Sequence, residues 1–341
     1  MRAYLFGFMH SPNTENADKS VRNSQGSEDL CLKKQKTARL SVFSNTALVV
    51  LKVIVGIASG SVSILSEALH SGMDLVAAAI AYLSVRKSSE PPDEIHAFGH
   101  GKFESVSGFF EALLIFAAAA IIIFESVQKI LTGEEGLLLS NLYIGMGVMG
   151  FSALANWIVS SRLMRVARES DSIALESDAW HLRTDVYTSL GVFIGLVLIQ
   201  VTGITLLDPL IALGVAAIIL RAAYDLTRRS LGDLMDRRLS DAEEDRIRTI
   251  ICEHASEYAD FHALRTRRSG PEQHIDLHVV MRKDLTVEES HDLTEHLESD
   301  LRLEFPRASV TIHVEPCGGE CDHCPSICRL SGRSRTQGRE E

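Results

Sequence analysis

The chain changes character along its length. From about residue 39 to 226 apolar residues dominate, and on either side polar and charged residues take over. A helix needs roughly 20 apolar residues to cross hydrocarbon. Six segments meet that length, at about 40–60, 62–84, 105–131, 138–162, 177–201 and 205–226. The breaks "ASGSVS", "LTGEEG" and "TGIT" hold almost no Lys or Arg, whereas "KKQKTAR", "VRK…GHGK", "SSRLMRVAR" and "LTRRS" are basic. Basic loops stay on the cytoplasmic side, which predicts both termini in the cytoplasm.

Beyond residue 238 the period of the apolar residues changes. "DAEEDRIRTIICEHA" has helical spacing, and "FHALRTRRSG" and "EQHIDLHVVMR" alternate like strands around a Ser-Gly-Pro turn. "TVEESHDLTEHLESDLRLEF" predicts a second amphipathic helix and "SVTIHVEP" a last strand. The fold class is therefore a membrane α-helical domain of six transmembrane helices followed by a small α+β domain of order αββαβ. The predicted organisation is a mobile N-terminal tail over 1–38, a transport domain over 39–238, a soluble domain over 239–316 and a Cys-rich, then polar, tail over 317–341.

Composition adds limits. The hydrophobic share of 46% and the mean hydropathy of +0.10 average over two regimes. A formal net charge of −11 argues against nucleic acid as a partner. "MRAYLFGFMHS" has too short an apolar run for a signal peptide. Four of the six cysteines crowd into "CGGECDHCPSIC", a spacing unlike a secreted disulfide framework and better suited to thiols in a reducing compartment.

The informative residues are polar ones inside apolar helices. "SEALHSGMDLVAAAIAY" holds Glu67, His70 and Asp74, and "ESDAWHLRTDVYTSLGVFIG" holds Asp178, His181 and Asp185. His-x-x-x-Asp puts both side chains on one helix face. A charge at mid-bilayer costs at least ~2.5–3.5 kcal/mol, so such groups need partners. A single motif reads as well as a structural hydrogen bond between helices. Two motifs together supply two imidazoles and two carboxylates, an N2O2 set that suits tetrahedral zinc over an all-oxygen ion. These ligands also bind protons, so metal and protons compete, as a metal-for-proton exchanger requires. Glu67 and Asp178 read either as acceptors that orient the histidines or as helix-end acids in contact with water. Lys52 reads as snorkelling to an interface, Asn45 as a bond to a neighbouring helix, and Arg183 as pointing away from the metal.

"LSEALHSGMD", "PPDEIHAFGHGKFES", "SDAWHLRTDVYTSLGV" and "VTIHVEPC" together resemble the cation diffusion facilitator family of divalent metal transporters, from about residue 39 to 317. The resemblance implies a homodimeric six-span exporter in a lipid bilayer, at the bacterial inner (plasma) membrane, that moves divalent metal out of the cytoplasm in exchange for H+ by alternating access. It also implies a metallochaperone-like soluble domain. His70, Asp74, His181 and Asp185 match the family's transport site, and His70 resembles its zinc-type branch. Zn2+ is then both the transported and the regulatory ion; iron, cobalt, nickel and cadmium fit the same ligand types.

The resemblance extends to further residues. Asp93, His96 and His100 stand where some members bind a second metal, although a loop whose histidines only hydrogen-bond fits equally well. Lys102 and Asp236 match a charged pair where the two domains meet. Eight of the thirteen histidines lie beyond residue 240. Among them His262, His278, His291 and His313, with Glu315 where an aspartate is usual, match the soluble-domain metal cluster; His274 is an added candidate. Cys317, Cys321, Cys324 and Cys328 read as zinc ligands, as an iron–sulfur run or as free thiols. Two other classes compete. An intramembrane metalloenzyme is disfavoured because no H-E-x-x-H is present and four protein ligands close the shell. A membrane metal sensor fits the soluble histidines.

Overall fold

The computed structural model describes residues 14–59, 62–132, 142–202 and 206–318. They divide into a helical unit, residues 30–236, and a smaller α+β unit that begins at Arg237.

The helical unit is built from α1 (Thr14–Ser59) beyond Asp29, α2 (Val62–Ser88), α3 (Lys102–Thr132), α4 (Leu142–Ser170), α5 (Ile173–Thr202) and α6 (Leu207–Leu234). Four stretches among the described residues are long and apolar enough to cross a membrane: Asp29–Ala58, Ala68–Ser88, Lys102–Thr132 and Pro209–Leu234. Helices α4 and α5 have 29 and 30 residues, but acids, His181 and Arg183 crowd the first half of α5. Helix α1 starts at Thr14, well inside the segment expected to be a tail. No proline follows Pro12 there, and Lys34 and Ala38 are already buried.

Helix α3 packs against α6, α5 against α4 and α6, and α2 against α3 and α5. The α3–α6 seam is Ala112, Ile115 and Ala119 against Ile219, Ala223 and Leu226. Alanines at this seam let the backbones approach closely, the usual way of joining helices when lipid offers no hydrophobic gain. Leu113, Ile121, Phe124 and Leu131 of α3 face outward and are exposed, as a face turned to hydrocarbon must be.

A buried polar knot joins four segments. Glu104 of α3 is fully buried. Its carboxylate takes hydrogen bonds from Lys34 of α1, Ser88 of α2 (2.7 Å) and Ser172 at the start of α5. The chain reaches Ser172 through Asp171, whose φ of 50° ends α4, and the Ser172 N–H closes back on the Ala167 carbonyl at 3.0 Å.

The α+β unit runs α7 (Asp241–Glu253), β1 (Asp260–Ser269), β2 (Glu272–Met281), α8 (Val287–Glu304), β3 (Ala308–Pro316). Both helices start with capping boxes, Ser240 with Glu243 and Thr286 with Glu289, each of which satisfies two backbone donors that the first turn leaves open. The sheet order is β1-β2-β3. A two-residue turn joins β1 to β2, with Gly270 at φ +58°. Strand β3 runs parallel to β2 and is reached through α8, since a parallel return needs a crossover. Ile275, Leu277, Val279 and Met281 of β2 are buried against Ile247 and Ile251 of α7 and Leu297 and Leu301 of α8. The helices therefore cover the odd-numbered face of β2, and its even-numbered side chains point the other way.

Candidate metal centre

His70 and Asp74 come from α2, His181 and Asp185 from α5. Because i and i+4 share a face, each helix turns its pair toward the other. His181 Nε2 lies 3.1 Å from Asp74 Oδ1, and His70 Nε2 lies 4.0 Å from Asp185 Oδ1. One donor atom each from His70, Asp74 and Asp185 falls within 4.8 Å of the others, and His181 joins through Asp74. In tetrahedral zinc, bonds of 2.0–2.1 Å set the ligands about 3.4 Å apart. The two cross-helix distances bracket that value. Asp74 is 4% exposed, whereas the His70 side chain is 55% exposed, so the set is open on the histidine side.

His70, Asp74 and Asp185 line a cavity of about 140 Å3. Three residues of that wall change the picture drawn from the sequence. Lys52 is buried rather than snorkelling, and its Nζ donates to Ser71 at 2.6 Å. Asn156 of α4 donates to Asp185 Oδ2 at 3.4 Å, a role that a lone Asn in an apolar run does not announce. Ser71 follows His70 in sequence and anchors Lys52 beside the carboxylates. Arg183 leaves the site, as its spacing requires, and lies over the Trp180 ring at 5.5 Å. Asp178 is 1% exposed, which removes the reading of a water-facing acid. No hydrogen bond links it to His181, whose Nε2 faces Asp74. The Glu67 side chain lies outside the described residues.

The loop between α2 and α3 brings together Asp93, His96 and His100. Asp93 is 3.2 Å from both His96 Nδ1 and His100 Nε2, and the two rings are 4.5 Å apart. The backbone N–H of His96 bonds Asp93 at 2.6 Å and that of Ile95 at 2.9 Å. These bonds, the first above all, hold the Asp93 carboxyl down to about 2. It stays ionised throughout the physiological range. Lys102 bonds Asp236 at 2.9 Å with both side chains partly exposed.

In the α+β unit, parallel register sets His278 beside His313 and Val280 beside Glu315. Glu315 reaches back one step to His278, with Oε1 2.8 Å from Nδ1, and its Oε2 lies 3.5 Å from His262 Nε2. His313 Nε2 is 3.9 Å away. The longer Glu thus gathers three histidines from three strands. His291, on the exposed side of α8, and the buried His274 do not join this group. Cys317 is half-buried, and Cys321, Cys324 and Cys328 lie outside the described residues.

Comparison with known proteins agrees with this architecture. Residues 38–235 match the cation efflux transmembrane domain, and residues 239–317 match the cation efflux protein cytoplasmic domain. An uncharacterized transporter of Synechocystis is 35% identical over 279 residues, 82% of this chain and 89% of its own length. The cation-efflux pump FieF of Pectobacterium atrosepticum is 35% identical over 269 residues, 79% of this chain and 88% of the pump. A solved chain of CzrB in its zinc form is 41% identical, covers 25% of this chain and 97% of its own, and superposes with a TM-score of 0.24. With both halves matched in order and relatives aligned over most of its length, the chain belongs to the cation efflux family of membrane transporters.

Proposed function

We propose that this protein exports divalent metal, with zinc as the best-fitting substrate, from the cytoplasm in exchange for protons. The observation that carries the reading is the convergence of two His-x-x-x-Asp pairs from α2 and α5, with His70, Asp74 and Asp185 on one cavity and His181 bonded to Asp74. Two carboxylates offset the charge of a dication in a low dielectric, and two imidazoles favour a borderline metal over magnesium or calcium. Metal must displace protons from these ligands to bind, and protons returning to them release it. A donor set split between two helices is complete only when the helices are close, which suits alternating access. Six spans, both termini on the cytoplasmic face of a bacterial inner membrane and a two-fold homodimer complete the reading. The transport domain spans 39–238, the soluble domain 239–316.

The histidine–glutamate group on the sheet supports a regulatory role for the soluble domain. Its donors come from three strands and lie on a partly exposed face, where cytoplasmic metal can exchange. Iron, cobalt, nickel and cadmium would travel the same route. Uptake of zinc-65 into everted vesicles, with and without a pH gradient, tests the reading. Accumulation that consumes the gradient is expected. Binding of zinc without accumulation would leave a membrane metal sensor as the better description.

A further inference from the structure

Helix α8 carries a third His-x-x-x-Asp, His296 and Asp300. They face His254, which caps the end of α7. His254 Nε2 lies 3.3 Å from Asp300 Oδ2, and His296 Nε2 lies 3.8 Å from the same oxygen. The two imidazoles stand 4.9 Å apart, and one donor atom of each of the three residues falls within 4.8 Å of the others. Ligands on tetrahedral zinc are about 3.4 Å apart. One edge of the triangle already has that length, and the other two close by rotation of His296, whose side chain is 54% exposed.

His254 is held as a ligating histidine usually is. Its Nδ1 sits 3.2 Å from the Ile250 carbonyl, which can only accept. Nδ1 is thus the ring's donor to the backbone, and Nε2 is the atom aimed at the junction with α8. The imidazole is buried and cannot swing to water. A plain ion pair would need one imidazole beside Asp300, yet two converge on it. Two protonated rings so close would repel, whereas a dication draws both neutral rings and the carboxylate together.

We infer that His254, His296 and Asp300 form a further divalent-metal site of the zinc class, with water in the fourth position, clamping α7 to α8. The sheet and its apolar core separate it from the His262–His278–Glu315 group, because the helices cover the odd-numbered face of β2 and that group uses His278 on the other. Filling one site therefore does not fill the other.

The test is zinc binding by the full-length protein in detergent, stripped with chelator and followed by equilibrium dialysis, with cobalt absorption as a second probe. His296→Gln should lose one ion per chain or weaken one site at least about 10-fold, while His278→Ala keeps it. His254→Gln should behave like His296→Gln. Because His254 is buried, the exposed His296 variant decides if the first variant fails to fold. His296→Cys should restore the site with a thiolate-to-cobalt absorption band. Unchanged stoichiometry and affinity in His296→Gln would overturn the assignment. The readout is binding, so a failure of vesicle transport bears on the transport reading alone.

Discussion

The two histidine–carboxylate centres, one in the helical unit and one on the sheet, use the same donor types in opposite settings. In the first, two helices each contribute an i, i+4 pair, with Asp74 buried and His70 exposed. In the second, single residues from three strands gather around one glutamate on a partly exposed face. Two carboxylates against two imidazoles make the membrane set neutral overall when metal is bound. The sheet group, with one carboxylate, stays cationic and depends on solvent to screen it. On the proposed reading the first set suits carrying charge through a low dielectric, and the second suits sampling ions from water.

The sharpest way to break this comparison is to remove both membrane carboxylates. In Asp74→Ala, Asp185→Ala, zinc-65 flux in everted vesicles should fall to background, while zinc binding by the sheet group persists. If sheet binding were lost as well, the two centres would not be independent. Next in size is Glu104→Ala, which leaves Lys34 buried beside no counter-charge. Breaking a buried pair this way costs about 3–5 kcal/mol. Unfolding of the helical unit should shift accordingly, with that of the α+β unit unmoved, and Lys34→Met added to it should recover most of the loss. A smaller effect is expected for Glu315→Ala. Zinc affinity of the sheet group should drop at least about 10–100-fold, read by dialysis, with flux retained at saturating metal. Smallest is Lys102→Ala. Its pair with Asp236 is 39% and 51% exposed, so chemical unfolding should change by no more than about 1 kcal/mol.

The same contrast explains what the sequence could reveal. The pairing of His70 with Asp74 and of His181 with Asp185 was legible because helical periodicity alone sets each pair on a shared face. The capping boxes at Ser240 and Thr286 mark the starts of α7 and α8 just as locally. The sheet group is scattered over residues 262, 278 and 315, and only strand pairing brings them together, so no local pattern announces it. Asn156 and Lys52 were out of reach for a related reason. A lone polar residue in an apolar helix does not say which way it faces until the neighbouring helices are in place. His254 shows the limit most clearly. Its partner motif, His296-x-x-x-Asp300, went unread although its spacing is local, and the third donor depends on how α7 lies against α8.

The Glu104 knot has a mechanical consequence. Ser88 and Ser172 fasten α2 and α5 to one carboxylate. Counting along α2 from Ser88 to Asp74, and along α5 from Ser172 to Asp185, each arm is about 20 Å at 1.5 Å per residue. Two rods of equal reach meet at one pin. A tilt of about 5° in one rod sweeps its carboxylate through about 1.7 Å at that 20 Å radius. Metal coordination tolerates about 0.2 Å. If the proposed site holds metal, an angle too small to disturb the pin is enough to part the two His–Asp pairs at the far end, so lever length sets how little motion release needs.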